Sequence, residues 1–463
     1  MMAWKDVGRL AIAGALVTGA HAQTQAQWPA PPPQIYQQLV SEGLEEEEFG
    51  NAVALNAQWA VIGAYADDDD DVGDPNDEQR GAAYVFERNG NQWAYHSTLH
   101  ASDRANCVPT PTQPVCDKFG WAVDVSGDWI VVGCERNANN PAQPGNKQGA
   151  AYMFQYDATH DTWGAGSGLI RTETAKLVAS APQHNAWFGR SVRLKGDRVL
   201  VGAYQRNEGV PNAGRVYSFN LVAGEWGQPG PRGRVENKSF TADPVQAQAR
   251  FGKWIDFVEH ANGDIAVIGA HLETYNTNVD EAGRVYVFQR NSTGWDQVDE
   301  FFAPVPAEGD HFGKTVAISD DATTIVASSY RYDKDGTPGC NSGQVFVYDY
   351  NPSNHTHSGP VTIEPSALDC GDRFGAFFSL SYPRLVIGSI GDDEGANDAG
   401  KAYYYRRTAS GWVLQLELKI NQAGAEYGKG VDLWGRRLLV GAQKYDLGSL
   451  TDVGAAYFSI IPQ

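Results

Sequence analysis

The hydrophobic positions of this chain recur in short runs separated by polar turns, and runs of this length predict β-strands. One phrase returns seven times: an aromatic residue and a glycine, followed by an apolar run that ends in a small residue. In five of the seven units, 14 residues separate the aromatic residue from the glycine of the apolar run. Such regular spacing predicts a repeat architecture. The opening pairs are Phe49-Gly50, Phe119-Gly120, Phe188-Gly189, Phe251-Gly252, Phe312-Gly313, Phe374-Gly375 and Tyr427-Gly428.

Each phrase is followed by a glycine and an alternating strand rich in aromatic residues, and in most units a tryptophan opens the next segment. Every unit therefore predicts a four-stranded antiparallel meander, which suits a propeller blade. The last unit stops after its third strand, and segment 35–40 resembles a fourth strand, so we expect the N-terminal strand to close the last blade. The predicted fold is an all-β, seven-bladed β-propeller. The tryptophans are Trp93, Trp163, Trp226, Trp295 and Trp412.

These phrases resemble FG-GAP repeats, the blade unit of the integrin α-subunit propeller and of many exported bacterial proteins. The resemblance extends over nearly all of the chain after residue 22 and implies a seven-bladed propeller, although a fold alone implies no reaction or ligand. The calcium-binding members carry an Asp-x-Asp-x-Asp-Gly-like loop between the first two strands. Here the corresponding turns, such as 56–58 and 434–436, offer too few oxygen ligands, so we do not expect the calcium sites of those members in this chain.

Composition and charge bear on the location of the protein and on the kinds of ligand that it could bind. Lys5 and Arg9 precede an apolar run and a small-x-small site at 20–22, which predicts a signal peptide over residues 1–22 and a single propeller over residues 23–463. The formal net charge of −20 argues against binding to nucleic acid, and no later stretch is apolar enough to insert in a membrane. We therefore expect a secreted or periplasmic monomer.

Five cysteines in an exported protein predict two disulfides and one free thiol. Cys107 and Cys116 share one loop and form the first expected pair, and Cys340 and Cys370 form the second. Cys134 follows an apolar run, which predicts a buried, inert thiol.

The residue after each opening pair is predicted to lie near the mouth of the axial channel, and four of the seven are cationic. A second ring follows the second strands and includes Tyr65, Glu135, Tyr204, His271 and Tyr330. Cations beside flat aromatic faces predict a funnel for an anionic polysaccharide. The alternative is that the cations pair with neighbouring carboxylates and the aromatic rings only pack blade against blade. The predicted ligand-binding residues are Trp121, Arg190, Lys253, Trp254, Lys314, Tyr330 and Lys429.

Two other functions use the same face. Ulvan lyases and some other polysaccharide lyases are seven-bladed propellers, and a β-elimination needs a cation to neutralise the uronate, a base and an acid. Arg190 or Lys253, His271 and Tyr204 could fill these roles. The second alternative is an integrin-like adhesin that binds a protein.

No cofactor and no metal site are predicted as part of the function. Two acidic loops, Asp67–Asp71 and the group Asp392, Asp393, Glu394 and Asp398, could collect a structural calcium ion; solvated loop charge is the other interpretation.

Overall fold

A computed structural model describes residues 35–41, 46–67, 80–103, 117–138, 146–166 and 170–462. The expected signal peptide, the Cys107–Cys116 pair and most of the acidic loop Asp67–Asp71 lie outside the described residues. Within the described ranges, no helix is long and apolar enough to cross a membrane.

Short strands account for almost all of the regular structure, as the periodicity predicted. The N-terminal strand and the first two repeats form β1 (Ile35–Leu39), β2 (Phe49–Leu55), β3 (Trp59–Ala64), β4 (Ala82–Asn89), β5 (Gln92–Leu99), β6 (Phe119–Ser126), β7 (Trp129–Cys134), β8 (Ala150–Asp157), β9 (Thr162–Trp163), β10 (Ile170–Arg171) and β11 (Ala175–Val178). The third repeat forms β12 (Phe188–Lys195), β13 (Arg198–Ala203), β14 (Arg215–Val222), β15 (Glu225–Trp226), β16 (Gln228–Gly230), β17 (Gly233–Val235) and β18 (Lys238–Phe240).

The remaining four repeats are more regular. The fourth and fifth form β19 (Trp254–Val258), β20 (Ile265–Ala270), β21 (Arg284–Arg290), β22 (Trp295–Phe301), β23 (Phe312–Ile318), β24 (Thr324–Ser329), a 3-10 turn (Lys334–Gly336), β25 (Gln344–Asn351) and β26 (Thr356–Ile363). The last two form β27 (Phe374–Ser381), β28 (Arg384–Ser389), β29 (Lys401–Thr408), β30 (Gly411–Lys419), β31 (Tyr427–Trp434), β32 (Arg437–Ala442) and β33 (Ala455–Ile460).

The described strands pair into seven small, mainly antiparallel sheets, four of which contain four strands. The protein is therefore an all-β propeller. In the second and third repeats the tryptophan-headed segments do not form the fourth strand as predicted. Trp163 and Trp226 lie in the two-residue strands β9 and β15, and β11 and β18 pair with the third strand instead. The intervening segment forms β16 and β17, which extend the second-repeat sheet through β11.

The same hydrogen bond joins each sheet to the next. The backbone N–H of every opening aromatic residue donates to a carbonyl just before the third strand of the preceding repeat, over 2.8–3.1 Å. The series returns to its start, because Phe49 donates to Val453 in the last repeat. The other pairs are Phe119 to Arg80, Phe188 to Gln148, Phe251 to Ala213, Phe312 to Ala282, Phe374 to Ser342 and Tyr427 to Ala399.

The glycines of the repeat are explained by how closely the sheets approach one another. Gly120 has φ +89, and a Cβ at this position would lie 2.1 Å from the carbonyl oxygen of Ala82. A Cβ on Gly63 would in turn lie 2.0 Å from the carbonyl oxygen of Gly120. Any side chain at either position would collide with backbone, so only glycine allows this packing.

The N-terminal strand closes the ring. β1 pairs antiparallel with β33, which makes it the outer strand of the last sheet. The amide group of Gln37 also bonds the backbone of Trp93 in the first repeat, accepting from its N–H at 2.7 Å and donating to its carbonyl at 2.7 Å. Leu39 is buried between the last and first sheets with Trp93 and Phe458. The segment therefore holds both ends of the described chain together.

Two cysteine predictions are confirmed. Cys340 and Cys370 form a disulfide, and the Cys134 thiol is fully buried and donates to the carbonyl of Asp117 over 3.1 Å. Burial raises the pKa of this thiol well above its usual value, which suits an inert role.

Candidate functional site

A cavity of about 280 Å³ lies on the axis and is lined by the first strands of all seven repeats. Six of the seven positions that follow an opening pair line it, as predicted: Asn51, Trp121, Arg190, Lys314, Ala376 and Lys429. The seventh, Lys253, does not; its neighbour Trp254 does. The reason is local: the first strand of the fourth repeat starts only at Trp254, without the register shift that the other six show after their aromatic residue.

Arg190 is held on one wall by two contacts. Its guanidinium group lies 3.9 Å from the ring centroid of Trp121, and its Nη1 donates to Glu135 Oε2 over 2.7 Å. Glu135 is 1% exposed, so its carboxylate is a fixed support for Arg190 and not a ligand-facing group. One face of the Arg190–Trp121 pair is left to the cavity.

Lys314 on the opposite wall has aromatic neighbours in place of a carboxylate. Its Nζ lies 4.4 Å from the Trp254 ring, 4.6 Å from Phe377 and 5.2 Å from Tyr330. Within the described ranges it forms no ion pair, and its one hydrogen bond reaches the carbonyl of Ala376 at 3.5 Å. Burial and the nearby Lys253 and Lys429 lower the pKa of Lys314 well below its usual value. The site therefore holds a buried amine that has no carboxylate partner among the described residues to stabilise its charged form.

Lys429 completes the cationic wall. Its Nζ lies 5.2 Å from the Phe377 ring and 3.9 Å from Glu426 Oε2, at the outer limit of an ion pair. Burial lowers its pKa as well, although Glu426 and Glu48 act in the opposite direction.

The residues considered for catalysis lie together beside the cavity. Lys253 Nζ is 3.1 Å from Nε2 of His271 and 5.6 Å from the ring of Tyr204, and Arg190 is 5.8 Å from that ring. His271 is buried, and burial and Lys253 lower its pKa well below the usual value, which keeps the ring neutral. Burial raises the pKa of Tyr204, which keeps the phenol protonated. Burial and the neighbours Arg190, Arg250 and Arg331 lower the pKa of Lys253 strongly.

A second cavity of about 300 Å³ lies further along the axis, and Arg193 lines both. Its Nε is 3.4 Å from Asp256 Oδ1 and its Nη1 is 4.0 Å from Asp124 Oδ2, which places Arg193 at the boundary of the two cavities. Both carboxylates also accept backbone N–H groups, from Ile318 at 2.9 Å and from Leu194 at 2.7 Å. The acidic groups are therefore fixed by the neighbouring strands.

Asp432 lines the second cavity too and accepts the N–H of Leu55 over 2.7 Å. Burial raises its pKa to about 6. Sequence reasoning missed Arg193, Asp124, Asp256 and Asp432. A signal existed, since each lies five positions after its opening aromatic residue. In the repeats of Asp124, Arg193 and Asp432, the register shift after the aromatic residue hides this spacing from a simple two-residue alternation.

The second acidic group considered for calcium is engaged with lysines. Lys401 Nζ lies 3.5 Å from Asp392 and also bonds Glu394, which Lys419 contacts as well. Among the described residues, no group of three or more His, Cys, Asp or Glu side chains is arranged to hold a metal ion.

Comparison with known proteins identifies the repeat. The FG-GAP repeat family model matches residues 39–86, 115–154, 172–219 and 295–348. Among solved structures, a protein from Lactobacillus plantarum aligns at 14% identity over 80% of this chain and 85% of its own, with a TM-score of 0.46. Saccharomyces cerevisiae Sqt1 aligns at 9% identity over 93% of this chain and 99% of its own, with a TM-score of 0.47. No curated protein matches the chain.

Proposed function

This chain belongs to the FG-GAP repeat proteins, and we propose that it is an exported, seven-bladed propeller that binds an anionic polysaccharide in the first axial cavity. Counting each of the seven sheets as a blade is supported by the seven sheet-to-sheet hydrogen bonds, which return to Phe49. Export is supported by the Cys340–Cys370 disulfide.

The observation that carries the binding proposal is the buried Lys314 amine, which has no carboxylate partner among the described residues. In a protein of net charge −20, carboxylates are plentiful, yet none pairs with Lys314 within the described part of the chain. Protonating a buried amine that has no partner of opposite charge costs free energy, so its place in the cavity wall is best explained by a ligand that supplies that charge. Arg190 and Lys429 in the same walls and the rings of Trp121 and Trp254 suit a charged sugar.

The test is binding of polygalacturonate, alginate, hyaluronan and heparin to the wild type and to Lys314→Met, with Lys238→Met as the matched control. Lys238 is exposed on β18 and lines neither cavity, and its loss changes the formal net charge by the same amount. We expect Lys314→Met to weaken binding at least tenfold, about 1.4 kcal/mol, and to raise the melting temperature because a buried polar amine without a carboxylate partner is removed. The control should change neither. Equal binding by both variants would rule the cavity out.

A second function is favoured by the contact between Lys253 and His271 beside Tyr204 and Arg190. A neutral His271 can take the C5 proton of a uronate, a protonated Tyr204 can give its proton to the leaving oxygen, and Arg190 can neutralise the carboxylate. Ultraviolet absorbance of the unsaturated uronate product measures this reaction. His271→Gln should bind the glycan and form no product; if the wild type binds the glycan and forms no product either, the protein is a binding module.

A further inference from the structure

We propose that the first axial cavity takes the terminal acidic sugar of the glycan, end-on, and that the chain does not run through the axis. This inference rests on the proposed function and specifies which part of the ligand is recognised. It follows from the size of the cavity, from the group at its inner end and from the change of charge beyond that group.

The size of the cavity limits the ligand first. Pockets for drug-sized ligands begin at about 300 Å³, and this cavity has about 280 Å³. It therefore accommodates one pyranose ring with its substituents, and an oligosaccharide would have to leave most of its length outside.

Arg193 closes the inner end. It lines both cavities, and it is held between Asp256 and Asp124, which are themselves fixed by backbone N–H groups of neighbouring strands. Moving Arg193 aside would separate it from two buried carboxylates, which is strongly unfavourable. A chain that entered at the cationic walls would stop against the guanidinium group.

The charge reverses beyond Arg193. Besides the shared Arg193, the walls of the first cavity carry Arg190, Lys314 and Lys429, whereas those of the second carry four carboxylates and one lysine: Asp124, Asp256, Asp320, Asp432 and Lys195. A polyanion would be attracted into the first cavity and repelled from the second. One carboxylate or sulfate reaching the axis would instead be shared by the wall cations and Arg193.

The wall cations lie at one height around the axis, which supports binding of a single charged group of the ligand. Arg190, Lys314 and Lys429 each follow the opening pair of their own repeat, so the repeat places them at one height around the axis. A ring of cations at one height suits one anion at its centre, whereas an internal segment of a chain would need cations along a groove.

The experiment compares each acidic polysaccharide of the panel that binds, intact and after cleavage to short oligosaccharides, as competitors at equal mass. In end-on binding each chain end is one ligand, and at equal mass shorter chains present more ends. By mass action, a tenfold reduction in chain length should therefore lower the half-inhibitory mass concentration about tenfold. Lys314→Met should lose this competition and Lys238→Met should keep it.

The outcomes separate the two proposals. If the polymers bind but shortening gives no gain, or the oligosaccharides fail to compete, the end-on mode is wrong and glycan binding stands. If none of the polymers and none of their oligosaccharides bind, the proposed function fails and the end-on mode falls with it.

Discussion

Binding of an anion in the axial cavity should take up protons, and pH is the perturbation that shows it. The pKa values of Lys314 and Lys429 in the walls, and of Lys253 beside them, are lowered chiefly by burial. An anion placed next to these amines favours their charged form and raises their pKa values again. Lysines that are neutral in the free protein therefore become protonated in the complex.

The sign follows from this linkage. Below the lowered pKa the lysines are already charged, so binding takes up no protons; between the lowered pKa and the ordinary value of 10.5, it does. Affinity should therefore fall as pH rises through that window. Each proton taken up changes affinity by about tenfold per pH unit; the two wall lysines contribute up to about two protons, and Lys253 beside them up to one more.

Other charged groups facing the cavity contribute little to this uptake. A guanidinium group such as that of Arg190 carries a permanent charge in proteins and has no proton to take up. Lys118 does not line the cavity; its Nζ lies 4.3 Å from the Tyr65 ring, and burial lowers its pKa to about 8. Lys118→Met therefore serves as a control for uptake that arises outside the cavity walls.

The assay is titration calorimetry in two buffers of different ionisation enthalpy, with the best-binding oligosaccharide, at several pH values from neutral to alkaline. The difference in observed heat gives the number of protons directly. Lys314→Met should lower this number and Lys118→Met should leave most of it. Equal heats in both buffers, together with an affinity that does not change with pH, would refute the reasoning.

Three further predictions concern the fold. Burial and Asp333 raise the pKa of buried Asp310 to about 7, so the free energy cost of keeping Asp310 buried grows as pH rises from about 4 to about 7. In urea denaturation, Asp310→Asn should therefore stabilise the protein at pH 8 by up to about 4 kcal/mol, and at pH 5 by less than half of that. The Cys340–Cys370 disulfide spans 30 residues, so replacing both cysteines by serine should lower the free energy of unfolding by about 3 to 4 kcal/mol, and a reduced wild type should match the variant. Leu39→Ala should cost about 2 to 4 kcal/mol in the same assay, because Leu39 is buried at the closure; a change below 1 kcal/mol would contradict the role of β1.

The propeller could be predicted because its constraints fall on single residues. Gly120 and Gly63 have no room for a Cβ, and Phe119 packs at the same junction in the core. Contacts that allow only one residue type leave a pattern in the sequence at a fixed spacing. The closing strand was predictable for a similar reason, because β1 repeats the pattern of a fourth strand.

The candidate site was predictable only in part, because it depends on register. Arg190 and Lys314 were found at the position after the opening pair, where six repeats behave alike. Lys253 was misplaced because the fourth repeat begins its first strand later. Contacts between side chains, such as Glu135 with Arg190 or His271 with Lys253, join different strands, so no fixed spacing along the sequence predicts them.

The two levels of charge on the axis show how a repeat with a structural purpose can also form a binding site. Position two after the opening aromatic residue carries Arg190, Lys314 and Lys429, and position five carries Asp124, Asp256 and Asp432. The acidic level has a structural function, because its carboxylates accept backbone N–H groups from the next repeat. The cationic level has no comparable function at Lys314, whose Nζ forms one hydrogen bond within the described residues, of 3.5 Å, to the carbonyl of Ala376. An anion on the axis is therefore attracted by the cationic level and repelled by the acidic level, so we expect it to enter from the cationic side.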